Sequence, residues 1–134
     1  MLTKKEWLKR ARIIDKEINQ LEIARKEAYE IAISTSVEMS KEKVKGSSGN
    51  AMERKLVNYL EYDLQISRQK EKLLEYKAEI LEAIASVEDT RYRTLLIAYY
   101  VNCKSWEEVA VLMNYGIRQV YRLHGDALQK VKIA

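Results

Sequence analysis

Apolar residues return at three- and four-residue intervals along most of this chain, the spacing that lines up one face of a helix. From Thr3 to Ile33, Trp7, Ala11, Ile14, Ile18, Leu21, Ala28 and Ala32 form one narrow stripe. Lys9, Arg10, Lys16, Glu17, Lys26 and Glu27 occupy the other faces. This predicts a single long amphipathic helix with a coiled-coil-like seam, opened by a Thr3–Glu6 capping box. A second long helix is expected from Asn50, capped with Glu53, to about Val87. Along it Tyr59, Ile66, Leu73, Ile80 and Val87 recur at every seventh position. Leu60, Leu74 and Leu81 make another row beside them, interrupted by Ser67. Such a rod must pack along something, and the nearest candidate is the first long helix, giving an antiparallel hairpin. The second leucine row exceeds what one partner covers, so the hairpin is also expected to self-associate into a homodimer or higher homo-oligomer. Between the two helices, Ser34 to Asn50 is rich in serine and charge and reads as a flexible linker.

Shorter helices follow. Glu88 to Val101 carries Leu95, Leu96, Ile97, Tyr99 and Tyr100, and Asn102 to Lys104 reads as a turn. Trp106 to Met113 and Ile117 to about Lys132 then have the pattern of a helix-turn-helix. Val109, Met113, Tyr115, Val120 and Leu123 supply its apolar contacts, and Ala110 is the small residue at the crossing. Asn114 sits at the turn, where a left-handed conformation is needed. Ser105 with Glu108 forms a further capping box. Gly125 inside the last helix costs about 1 kcal/mol relative to alanine, and a close helix contact would account for it. The expected domains are therefore a helical hairpin over 1–87, with its linker at 34–50, and a helix-turn-helix domain over 88–134.

Composition agrees with an all-α protein: proline is absent, glycine occurs four times in 134 residues, and a third of the chain is charged. Phenylalanine is missing while nine tyrosines are present, which suits half-wet aromatic surfaces. A lone cysteine, Cys103, excludes an intrachain disulfide and points to a reducing compartment. With no signal peptide or membrane span in the sequence, a cytoplasmic protein is expected. The single histidine, His124, reads as a packed group rather than a ligand. No glycine-rich phosphate loop, metal-ligand cluster or nucleophile–base set is found, so neither an enzyme, a cofactor nor a metal is expected. The net charge of +4 is small, but from Gly116 onward Arg118, Arg122, Lys130 and Lys132 are opposed only by Asp126. Positive charge is thus concentrated on the last helix.

The run from Ser105 through Trp-Glu-Glu-Val-Ala, Asn114-Tyr-Gly, Arg118-Gln-Val-Tyr-Arg and Ala127-Leu-Gln-Lys-Val-Lys132 resembles region 4 of the sigma-70 family. Arg93-Thr-Leu-Leu-Ile-Ala-Tyr-Tyr100 resembles the family's preceding helix. The chain as a whole is similar to short phage and prophage proteins grouped with ArpU- or RinA-type late-gene regulators. The resemblance implies a DNA-binding transcriptional regulator, an activator of phage or prophage late genes in contact with RNA polymerase. Two departures stand out. Asn114 replaces the usual turn glycine, and Ile117 and Tyr121 occupy reading positions that are often polar in sigma factors. Sigma region 2 is not recognisable, so the chain does not read as a complete sigma factor.

Arg118, Gln119 and Arg122 share one face at the start of the last helix, where a recognition helix meets base edges. Arginine suits guanine O6 and N7, and glutamine suits adenine N6 and N7. Ile117 and Tyr121 complete the candidate face; Tyr121 either meets a thymine methyl or phosphate or packs on the helix expected over Glu88 to Val101. Lys104, Lys130 and Lys132 are candidates for phosphate contact, or for plain solubility. The expected partner is double-stranded DNA, with RNA polymerase as a second. Two alternatives remain: a packaging protein resembling a terminase small subunit, and an adaptor that docks on polymerase without touching DNA.

Overall fold

Thr3 starts the first helix by accepting a hydrogen bond from the Glu6 amide at 3.1 Å. In the computed structural model, which describes residues 1–42 and 48–133, this helix (α1, Lys4–Leu8) stops after five residues. Lys9 relaxes to ψ −8°, and α2 then runs from Arg10 to Glu42. One unbroken helix was expected here. The break is held by Arg10, whose Nε donates to the Trp7 carbonyl at 2.9 Å and whose guanidinium lies over the Trp7 ring at 4.4 Å.

The expected linker at 34–50 is helical wherever it is described: α2 continues to Glu42, and α3 spans Ser48–Ile84. Residues 43–47 lie outside the described residues. Thr35 answers its own polarity within the helix, donating to the Ile31 carbonyl at 3.0 Å. Serine and threonine that bond back one turn need not end a helix, and Glu and Lys nearby favour it. Asn50 consequently lies inside α3 rather than at its cap. At the other end α3 closes earlier than expected: Ser86 donates to the Ala83 carbonyl at 2.6 Å, and Val87 lies beyond the helix yet stays buried.

Asp89 caps α4 (Thr90–Leu96), accepting from the Arg91 amide at 2.8 Å. Arg93 ties down the preceding connection, donating to the Val87 and Glu88 carbonyls, each at 2.6 Å. The helix expected to run on to Val101 loosens into a π-helical segment, Ile97–Val101, in which the Asn102 amide reaches the Ile97 carbonyl. Cys103 follows with a positive φ of 56°. Then come α5 (Trp106–Met113) and α6 (Ile117–Lys130). Among the described residues the protein is all-helical, and no helix is long and apolar enough to cross a membrane.

The chain divides into two compact units. The first joins Met1–Asp15 to Lys72–Ala134; the second is Lys16–Glu71. The first unit's core does not begin at residue 88. Leu8, Ala11, Ile80 and Ile84 are buried in one cluster with Leu95, Tyr100, Val109, Val120 and Ala127. Lys4 donates to the Leu128 carbonyl at 2.8 Å, and Arg12 donates to the carbonyls of Tyr99 (2.9 Å) and Lys104 (2.8 Å) while stacking over the Tyr99 ring. These basic side chains supply donors to carbonyls in the π segment, in the connection before α5 and in the last turn of α6. In the second unit, Ile18, Ala28, Ala32 and Ile66 are buried. Arg25 pairs with Asp63 at 2.6 Å, Tyr29 meets Tyr59, and Lys55 donates to Thr35. Partners thus descend along α3 as they ascend along α2.

Candidate nucleic-acid interface

Local chemistry sets the geometry of α5 and α6. Ser105 Oγ accepts from the Glu108 amide and the Glu108 carboxylate accepts from the Ser105 amide, both at 3.1 Å, completing the expected capping box. The Ser105 amide, and after it the Ser105 hydroxyl, hold the Glu108 carboxyl below the usual carboxylate range. Asn114 ends α5 at φ 59°, ψ 44°, as its place in the sequence required, and the Tyr115 amide closes the turn on the Ala110 carbonyl. Alanine at 114 meets the steric cost of left-handed geometry, so Asn114→Ala is expected to lower stability by about 1 kcal/mol. Asn114→Gly should match or exceed the parent, and chemical denaturation of the three proteins measures both differences.

Gly116 is the N-cap of α6 and offers no side chain, and the first turn of α6 contains no acid. The amides at that end are therefore left to solvent or a ligand, beside Arg118 and Gln119. One flank of α6 is sealed, with Val120, Leu123, His124 and Ala127 buried. On the other, Ile117, Arg118, Gln119, Tyr121 and Arg122 are all exposed. Among the described residues none of Arg118, Gln119 and Arg122 is engaged in an ion pair.

Tyr121 is 50% exposed, and its ring packs edge-on at 5.8 Å against Trp106, the first residue of α5. Trp106 in turn stacks on Tyr99 at 3.7 Å and leans on His124 at 4.5 Å. An aromatic ladder thus fixes the start of α5 against the middle of α6. His124, buried below it, meets the Tyr100 hydroxyl at 2.6 Å. Burial, with Lys5 and Lys9 adding to it, pushes the histidine pKa down to about 4.

The lysines do not gather with the arginines. Lys130 ends α6, about 18 Å along its axis from Arg118, and Lys132, where the helix was expected to end, lies beyond it; both line a cleft with Ser86, Glu88 and Asp89. Lys104 is exposed at the start of α5, 3.9 Å from Glu108. Gly125 has nothing within 4 Å of where a Cβ would stand, so the expected close helix contact is absent. Gly125→Ala should therefore stabilise the protein by about 1 kcal/mol through helix propensity alone, read as a higher denaturation midpoint.

Two features escaped the sequence pattern. Val111 and Leu112, on α5, are 83% and 61% exposed and line a shallow depression with Lys104, Glu107 and Glu108. Because Val109-Ala-Val-Leu-Met113 is apolar throughout, periodicity could not say which members face out. Arg12 and Lys4 are the other omission, since they act on carbonyls far away in the chain. Comparison of the sequence with protein-family models and curated proteins, and of the structure with solved structures, returned no match.

Proposed function

We propose that this protein is a DNA-binding transcriptional regulator of the phage or prophage late-gene type, reading DNA with a sigma region 4-like helix-turn-helix built from α5 and α6. The observation that carries the reading is the exposed row of Arg118, Gln119 and Arg122, in no ion pair among the described residues, at the N-terminal end of α6, directly after a left-handed turn. That end of a helix is the part that enters a major groove, and these side chains match guanine and adenine edges. The crossed contacts of α2 and α3 support an antiparallel, coiled-coil-like hairpin in the second unit. In this reading the protein is a homodimer, since a single small domain of modest charge gains affinity by engaging two half-sites at once.

Val111 and Leu112 favour a second reading, an adaptor whose α5 docks on RNA polymerase. One experiment separates them. Gel shifts with DNA upstream of the host phage's late genes are run with and without polymerase, comparing the parent with Arg118→Ala/Arg122→Ala. Polymerase-independent shifts lost in the variant support direct reading. Shifts that need polymerase and survive the variant support the adaptor.

A further inference from the structure

We infer that a second copy of this chain pairs with the first along α3, parallel and in register, through a heptad face that neither unit covers. The inference rests on the homodimer of the proposed function and names its surface. Val57, Leu60, Leu64, Leu74, Ala78 and Leu81 follow alternating four- and three-residue steps, broken only by Ser67 and Glu71. All eight positions are exposed. Val57 through Glu71 belong to the second unit and Leu74 through Leu81 to the first, and each unit leaves its own share open. Leu60 is 58% exposed and Leu74 68%. This face differs from the one each unit covers, where Ile66 and Ile80 are buried and Tyr59, Leu73 and Tyr76 are partly covered.

With Val57, Leu64, Glu71 and Ala78 as a positions, the d positions are Leu60, Ser67, Leu74 and Leu81. Leucine at d suits a two-stranded parallel pair, and Glu71, the one charged a residue, faces its own copy there at a cost in stability. Charge complementarity selects the second copy and its direction. The charged positions flanking the seam are Asp63, Lys70 and Lys77 on one side and Glu61, Arg68, Glu75 and Glu82 on the other, Glu61 facing Leu56. In a parallel pair each faces the partner residue five places on, so Lys70 meets Glu75 and Lys77 meets Glu82. Asp63 also faces Arg68, although Arg25 of its own chain already holds it. The antiparallel alignment that best superposes the six apolar residues instead sets Lys70 near Lys70, Arg68 near Arg68 and Glu61 near Glu75, against one favourable kind of contact among these positions, Asp63 with Lys77.

The test uses the full chain with Cys103→Ser, so that an introduced thiol is the only one. Sedimentation equilibrium at tens of micromolar should give a dimer. Ser67→Cys and Leu74→Cys, made separately, should each form an interchain disulfide on mild oxidation, whereas Gln65→Cys, one position off the seam, should not. Any antiparallel register can join at most one of the two seam positions to itself. Leu60→Glu/Leu64→Glu should raise the dimer dissociation constant by about a hundredfold or more with helical circular dichroism unchanged. A monomeric parent overturns both the homodimer and this surface. A dimer in which neither seam cysteine, or only one, cross-links keeps the homodimer and overturns the parallel α3 face. DNA binding, measured separately, bears on neither result.

Discussion

Replacing Arg118 and Arg122 together by alanine is expected to cost about 2–6 kcal/mol of specific DNA affinity, a loss of about thirtyfold at the least. Each arginine can form a bidentate contact worth about 1–3 kcal/mol of base discrimination. Because both are exposed and held by no ion pair among the described residues, removing them leaves the fold intact. The loss should therefore appear in fluorescence-anisotropy titrations without any change in denaturation midpoint. The lysines separate by place. Lys104, beside the start of α5, should reduce the salt slope of binding by about one unit when replaced by alanine, if it neutralises a phosphate. Lys130 and Lys132, at the other end of α6 and beside Glu88 and Asp89, should leave the slope unchanged. A slope that falls for Lys130→Ala or Lys132→Ala, with Arg118→Ala/Arg122→Ala binding normally, would move the DNA to the opposite end of the helix and refute the reading above.

What could be read from the sequence was local in origin. A capping box joins residues three apart, and Ser105–Glu108 forms as written. A left-handed cap depends on one residue type at one position, and Asn114 adopts it. The buried members of the stripes, among them Ile14, Ile18, Ile66, Ile80, Val109 and Val120, follow from spacing because burial of one helical face requires it. Features that depend on residues far apart were not legible. The break at Lys9 is stabilised by Arg10 over Trp7 and Tyr76. The π segment coincides with Arg12 reaching the Tyr99 carbonyl from 87 residues away. The extension of α2 to Glu42 shows that serine-rich composition does not by itself stop a helix. The row Arg118, Gln119, Arg122 was legible as a face, because helical geometry places it there. Its separation from Lys130 and Lys132 is set by length along α6, which a count of charges ignores.

The second large effect concerns acid. His124 is expected to make stability fall as pH drops from about 6.5 to about 4, with a shallower slope above that range. The sign follows from linkage. Burial lowers the folded-state pKa from 6.5 to about 4, so between those values the unfolded chain binds the extra proton and the folded chain does not. Stability is therefore fully present above 6.5 and is lost as pH falls towards the folded value. At about 1.4 kcal/mol per unit the whole shift corresponds to about 3 kcal/mol, and solvent reaching the ring edge reduces this to about 2. The geometry supplies the reason. Burial holds the Tyr100 phenol protonated, its pKa raised, so the hydroxyl can donate to Nε2 of a neutral imidazole at 2.6 Å. A proton on Nε2 forces that hydroxyl to turn and accept, leaving its own hydrogen without an acceptor in a buried site. Tyr100→Phe keeps the ring and removes the bond, and should cost about 1–2 kcal/mol at neutral pH. His124→Gln should flatten the profile between pH 6.5 and 4.5, leaving only a steeper fall below that as carboxylates such as Glu108 lose their capping bonds. Urea midpoints for the three proteins across this range, with the His124 ring protons followed by NMR, measure each term; a parent midpoint that stays level from pH 7 to 4.5 refutes the linkage.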